Sequence, residues 1–423
     1  MDMKYRSLAR LFHTDRSADS FNNHAKLARQ RLEADATFRT GITTPLGELF
    51  TATPREMTML TEKILLAERR VSRLWNQIPG IMHWAYIRHS ISEELFATNE
   101  MEGVRSTRKE TQDAVEAAGR ALREGDESKA RFGEFAKLYL NLTDRDSALP
   151  SGIADIRDIY DKVVLDEVDE SDKPDGELFR KDDVEIQGPH GLAIHNGVTG
   201  EGNIGALLAD MIHLATSDEI PRLQAAIMSH FLFEYVHPFY DGNGRTGRYL
   251  LALYLSHDLT MPTVLSLSRT IAENKNAYYK AFVEAEDRLN CGELTFFVST
   301  LLGFIHKAQN ELIDELGVKV DQLHKGHAIC EQLEKEHGLS GNAVSVLYGV
   351  IQEELFDSSK FMSLDDAARQ IGLSKQSARK YVGELLDEGL VVQTGKRPLK
   401  IRASESLQNV LATGIDESAG TLV

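Results

Sequence analysis

Apolar positions recur at steps of three and four along most of this chain, and strict alternation is confined to short stretches, so the pattern predicts a mainly α fold. The first strong helix opens at Thr53-Pro54-Arg55-Glu56. There Thr53 is placed to cap, Pro54 suits the first helical position, and Glu56 can complete a capping box. Met57, Leu60, Ile64, Ala67, Val71 and Leu74 then make one stripe, which Pro79-Gly80 ends. A second helix carries Trp84, Ile87, Ile91 and Leu95 on one face and runs to Gly103, a natural C-cap. Further helical patterns fill 107–170, one of them holding Phe132, Phe135, Leu138 and Leu140. Others follow at 203–215, 221–236 and 249–255, while residues 1–50 have weak periodicity and predict little.

The stretch 183–195 breaks the helical rhythm. Val184-Glu185-Ile186 and Leu192-Ala193-Ile194 flank Gly188-Pro189-His190-Gly191, a hairpin with a four-residue turn. A lone hairpin in a helical chain suggests a role other than building a sheet core. A second departure lies beyond about 341. Ser363-Leu364-Asp365-Asp366 opens a short helix, Ser374 caps a longer one that Gly389 ends, and Leu390-Val391-Val392 and Leu399-Lys400-Ile401 flank a wing-like turn.

Composition narrows the function. The net charge of −17 over 423 residues argues against broad nucleic-acid binding. Two cysteines, Cys291 and Cys330, make no disulfide framework and fit a reducing compartment. The first ten residues lack an apolar signal core, and no apolar run is long enough to span a bilayer. The expectation is a cytoplasmic protein with no membrane partner. His324-x-x-His327-x-x-Cys330 hints at a metal site, but its spacing spans too much of a helix for tetrahedral ligation, and a solvated helix face is the simpler reading.

The informative segment is His237-Pro238-Phe239-Tyr240-Asp241-Gly242-Asn243-Gly244-Arg245-Thr246-Gly247-Arg248. One helix ends near Val236 and another begins near Gly244, so the loop delivers unpaired N–H groups to one point, an anion site. Gly242 and Gly244 let the backbone approach a phosphate closely. Arg245 and Arg248, three apart, can face one ligand, and Asp241 offers a hard oxygen for a phosphate-bound Mg²⁺. His237 is the natural proton acceptor at neutral pH, and Phe239 reads as an anchor into the core. These are the parts that phosphoryl or nucleotidyl transfer needs. The bland alternative is a Gly- and Asn-rich turn between helices with two solvated arginines.

The segment resembles the signature of the Fic-domain family, His-Pro-Phe-x-(Asp/Glu)-Gly-Asn-Gly-Arg-x-x-Arg, at every fixed position, and the likeness extends over roughly 80–305. The resemblance implies a helical core with a β-hairpin flap and transfer of AMP from Mg-ATP to a protein hydroxyl. His237 would deprotonate the Ser, Thr or Tyr acceptor, and Asp241 would hold Mg²⁺ between the α- and β-phosphates. Asn243, with the backbone at Gly242 and Gly244, would seat the α-phosphate, and Arg245 and Arg248 the β- and γ-phosphates. The target protein would add a strand to the 183–195 hairpin. Tyr278 and Tyr279 fall where the family often lines its adenine pocket, and are equally placed to be core.

Upstream, Thr98-x-x-x-Glu102-Gly103 resembles the family's inhibitory motif, which implies that Glu102 pairs with Arg248 and misaligns ATP. The organisation expected is an amino-terminal helical segment with that motif (1–110), a Fic core (111–308), a helical linker (309–340), a winged helix-turn-helix (341–403) and a tail (404–423). Lys375, Gln376, Arg379 and Lys380 lie on the second helix of the winged module, where DNA is one partner and a protein or second copy the other. Two rivals stand beside AMP transfer. One is removal of AMP with Glu102 orienting water, and the other is a DNA-binding regulator whose core senses nucleotide.

Overall fold

The computed structural model describes residues 5–413 except 126, 129, 144–146, 165–166, 188–192, 357–360 and 397. Helices dominate, and the strands described form small antiparallel sheets, so the fold is mainly α. The chain divides into two compact bodies, residues 1–69 with 90–310 and residues 70–89 with 311–423. No helix among the described residues is long and apolar enough to cross a membrane.

The first body opens with helices Leu8–Thr14 and Ser20–Leu32, then an antiparallel hairpin of Thr37–Thr44 with Gly47–Ala52. A segment expected to be helical therefore carries a sheet. Its signal was the β-branched run Thr37, Thr40, Ile42, Thr43 and Thr44, closed by Pro45-Leu46-Gly47. Thr53 stays with this hairpin, its N–H donating to Ala36 O at 2.9 Å. Its hydroxyl has no partner among the described residues, so it caps nothing and the helix starts at Arg55.

Along Arg55–Trp75, Met57, Ile64, Ala67 and Val71 are buried as their stripe requires. In Gly80–Met101, Ile87, Ile91 and Leu95 are buried but Trp84 is 56% exposed. That helix ends at Gly103 with φ +70°, and Val104 N–H reaches Asn99 O at 2.9 Å, a left-handed cap of the expected kind.

The centre of the first body is Arg222–Val236, buried on nearly every side and packed against Glu201–Ala215 and Asn243–Ser256. A helix apolar all round belongs inside a core. The flap strands Glu185–Gln187 and Ala193–Asn196 pair antiparallel, and the turn expected at 188–191, with Leu192, lies outside the described residues.

In the second body, Gly341–Phe356, Met362–Ser363, Leu364–Ile371, Lys375–Asp387, Val391–Lys396 and Leu399–Ala403 follow in the order helix, strand, helix, helix, strand, strand. Ser363 and Ser374 cap their helices through their side chains. Two segments behave differently from expectation. Residues expected as a linker lie in the continuous helix Thr295–His337, whose Ile329, Cys330 and Leu333 join the core of this body. Within the expected tail, Glu405–Thr413 is a helix that buries Leu407 and Leu411 in the same core. His324 and His327 are exposed while Cys330 is buried, so these three side chains do not converge.

Candidate active site

The motif loop hangs between two buried helices. Arg222–Val236 ends at His237, which adopts a left-handed conformation with φ 50° and ψ 63°, its N–H on Phe233 O at 3.0 Å. Phe239 is buried and stacks on Tyr160 with ring centroids 3.6 Å apart, the anchor its apolar character suggested. The Asn243 side chain closes the loop on itself. Its Oδ1 accepts from Phe239 N–H at 3.0 Å, and its Nδ2 donates to Phe239 O at 2.8 Å. Gly242, at φ +81°, then starts Asn243–Ser256, and a Cβ there would lie 2.4 Å from Val164 Cγ1. Asp241 is exposed, with Oδ1 accepting from Gly242 N–H at 2.7 Å. An oriented, solvent-facing carboxylate beside a helix N-terminus fits a hard cation.

The two arginines are both buried, and each has a carboxylate. Arg245 Nη1 lies 2.6 Å from Glu167 Oε2, and Glu167 also pairs with Arg131 at 2.9 Å. Arg248 Nη2 lies 2.7 Å from Glu102 Oε1. Arg248 also donates from Nε to Thr98 Oγ1 at 2.8 Å and from Nη2 to Thr98 O at 3.1 Å. Thr98 and Glu102, one helical turn apart, thus grip the same guanidinium. A Cβ on Gly244 would lie 2.2 Å from Glu102 Oε1. The Glu102 carboxylate therefore rests on the first turn of Asn243–Ser256, where N–H groups lack intrahelical partners.

Further carboxyls surround Arg248. Burial pushes Glu94 up to about 7, against the hydrogen bonds of Ser268 and Tyr139 and the charge of Arg248. Burial pushes Glu234 up to about 8, with Arg248 opposing and Glu102 adding to the rise. Burial also works against the Arg248 cation, but Glu102, with Tyr278 and Glu234, outweighs it and holds the pKa above its ordinary value. His230 is held neutral, down to about 3, by burial and then by Arg248. Its Nδ1 lies 3.0 Å from Gly247 O, which can only accept, so Nε2 accepts from the Tyr278 hydroxyl at 2.7 Å. Tyr278 is thereby a core residue, whereas Tyr279 is 44% exposed and lies within electrostatic reach of Glu102 and Arg248.

The structure thus brings His237, Asp241, Gly242, Asn243, Gly244, Arg248 and Glu102 to one loop and one helix end. Arg245 points into an ion pair with Glu167. Sequence reasoning missed Glu167, Glu94 and Glu234. A lone acidic residue in a helical stretch gives no signal by itself, though Glu234 sits three residues before His237 in an otherwise apolar run.

The motif loop thus joins two buried helices of a helical domain. Residues 150–255 match the model of the Fic/DOC family. Over 208 residues the chain is 28% identical to a protein of Aquifex aeolicus described as a probable protein adenylyltransferase, covering 46% of this chain and 52% of that relative. The chain thus spans about half the length of the curated relative it matches. Among solved structures it is similar to a Fic family protein from Desulfovibrio desulfuricans (TM-score 0.47, 18% identity, 83% of this chain and 97% of that one). It is also similar to Fic-1 from C. elegans (TM-score 0.40, 15% identity, 73% and 80%).

Proposed function

We propose that this protein transfers AMP from Mg-ATP to a protein hydroxyl and that Glu102 holds it inactive. The observation that carries the reading is the Glu102 carboxylate on Gly244 and Arg248, an acid seated where a phosphate would sit. The match to the Fic/DOC family at 150–255 and the relative described as a probable adenylyltransferase support it.

In this reading the acceptor hydroxyl oxygen attacks the α-phosphorus while His237 takes its proton. The bond from that phosphorus to the bridging oxygen breaks, and pyrophosphate leaves in line. Asp241 would hold Mg²⁺, which when bound neutralises phosphate charge. The N–H groups around Gly242 and Gly244 seat the α-phosphate, and Asn243 acts by holding the loop closed through Phe239. Arg248 takes the γ-phosphate once Glu102 leaves. The Arg245–Glu167 pair makes Arg245 chiefly a support for the cradle.

Incubation with labelled ATP and mass spectrometry tests this. A Glu102→Gly variant should label protein well above the wild type, whereas adding His237→Ala to it should leave ATP binding in place yet abolish the labelling. Strong labelling by that double variant would remove the base from its role. The reverse reaction is a second reading, because Glu102 keeps 27% of its side chain exposed and can meet water. Loss of AMP removal in Glu102→Gly would favour it.

We also read the second body as a winged helix, on its order of elements. Arg379, Lys380 and Gln376 are exposed on Lys375–Asp387, and Lys375 is tied to Asp365 at 2.7 Å. A gel-shift titration over salt tests whether that face takes DNA. Binding no stronger than to random duplex would exclude a sequence-specific role.

A further inference from the structure

Arg180 lies in the loop leading into the hairpin, and its side chain is completely buried. Backbone carbonyls receive its guanidinium. Nε donates to His237 O at 2.8 Å and Nη1 to Asp182 O at 2.7 Å. Nη2 donates to Val198 O at 2.8 Å and to Val236 O at 3.3 Å. The Arg180 main-chain N–H donates to Pro238 O at 3.2 Å. One residue therefore holds three consecutive carbonyls of the motif loop together with a segment on each side of the hairpin.

The physics favours a cation at this point. The carbonyls of 236 and 237 close the C-terminus of Arg222–Val236, where acceptors lack intrahelical partners and the dipole is negative. Desolvation lowers the Arg180 pKa, yet guanidinium keeps its charge where an ammonium would not. The loop it grips is strained, since a left-handed residue with a Cβ costs about 1–2 kcal/mol and persists only when its surroundings hold it. His237 is one of three non-glycine residues with positive φ among those described. Gly197 completes the cluster. A Cβ there would lie 2.4 Å from Arg180 Nη2, 2.8 Å from Val184 Cγ2 and 3.3 Å from His237 Cβ, so a side chain at this position would crowd the guanidinium, the strand side of the hairpin and the base together.

We propose that Arg180 is a positioning residue that locks the turn aiming His237 and makes its aim depend on the seating of the hairpin. A target strand added to the hairpin is then felt at the base through Asp182, Val198 and Arg180. Lysine cannot substitute, because one ammonium on a flexible stem does not span carbonyls on three segments. The inference rests on reading His237 as the base of AMP transfer.

The test uses the full chain carrying Glu102→Gly, with Arg180→Lys, Arg180→Ala or Gly197→Ala added singly. Arg180→Lys should lower kcat at least about tenfold, since small misplacements carry penalties of this order. ATP affinity by calorimetry should stay within about twofold, because the phosphate cradle is untouched. Methylguanidinium should restore part of the rate of Arg180→Ala and none of that of Arg180→Lys. Gly197→Ala, which intrudes on the guanidinium without removing it, should show the same split and serves if the Arg180 variants do not fold. An unchanged kcat, or kcat and ATP affinity falling together, would overturn the proposal. The His237 ring resonance, assigned by its loss in His237→Ala and recorded without nucleotide, separates the two readings. If the parent transfers no AMP, the transfer reading fails alone. A resonance unmoved by Arg180→Lys then overturns the role given to Arg180.

Discussion

Arg245 and Arg248 stand three residues apart on one helix, both buried and both held by a glutamate, yet the two pairs behave as different devices. Glu167 keeps 6% of its side chain exposed and is shared with Arg131, so its pair with Arg245 is closed on every side. Glu102 keeps 27% exposed and follows a helix end, just before the chain turns at Gly103. Removing a partner from a closed pair strands a buried charge, whereas an exposed partner can be displaced by a competing anion. The accessibility of the acid, not of the arginine, is what differs between the two pairs, and it is what the proposed inhibitory role of Glu102 requires.

The largest effect should come from the closed pair. Glu167→Ala should cost about 3–5 kcal/mol in denaturant unfolding, because Arg245 would remain buried without its acid. A loss below about 1 kcal/mol would show that Arg245 is not dependent on Glu167 and would dissolve the contrast.

Glu102→Gly should cost less stability than Glu167→Ala, because Thr98 still accepts from Arg248 through its hydroxyl and its carbonyl, while AMP incorporation rises tens-fold. Breaking a charge-assisted contact worth about 1.5–3 kcal/mol has that size. Arg248→Ala should not mimic it, and the double variant should be as poor as Arg248→Ala alone, because the phosphate ligand is gone. Incorporation no higher in Glu102→Gly than in wild type would rule out inhibition by this contact.

Thr98→Val sharpens the comparison more gently. It removes the hydroxyl that accepts from Arg248 Nε while keeping Glu102 in place. A single hydrogen bond worth about 1 kcal/mol should raise AMP incorporation several-fold, well short of Glu102→Gly.

The smallest effect is one of pH. Glu94 and Glu234 have pKa values raised in the folded state, to about 7 and about 8. The folded protein therefore binds more protons than the unfolded chain above the ordinary carboxylate range. Stability is full below that range and is lost as pH rises through 7 and then 8. Glu234→Gln should flatten the upper part of this decline in thermal melts. In Glu102→Gly the same decline should move to lower pH, because Glu102 contributes to the rise at Glu234. Melts that keep the wild-type slope in both variants would exclude Glu234 as its source.

What was legible beforehand follows a physical divide. Stripes at helical spacing marked Met57, Ile64 and Val71, and local caps at Gly103, Ser363 and Ser374 needed only near neighbours in sequence. The loop from 237 to 248 was legible because its residue types carry their chemistry with them. The hairpin at 37–52 was hidden because its pairing is interrupted between Arg39 and Thr43, which blurs the alternation. Its edge also bonds to Gly292 and Leu294, far along the chain, and no local pattern records that. Arg180 and Glu167 were hidden for a related reason, as their partners lie 57 and 78 positions away.

The closeness of Gly244 to Glu102 also bears on how inhibition could be lost by mutation. Any side chain at 244 would meet the Glu102 carboxylate and would equally crowd a phosphate approaching the same backbone. A chance substitution there releases the acid only by spoiling the seat it vacates. If Glu102 inhibits as proposed, single-step escape toward a constitutively active protein is confined to the helix end that carries Thr98 and Glu102. In a screen for such gain-of-function alleles, hits should crowd into that turn and leave the glycine loop bare.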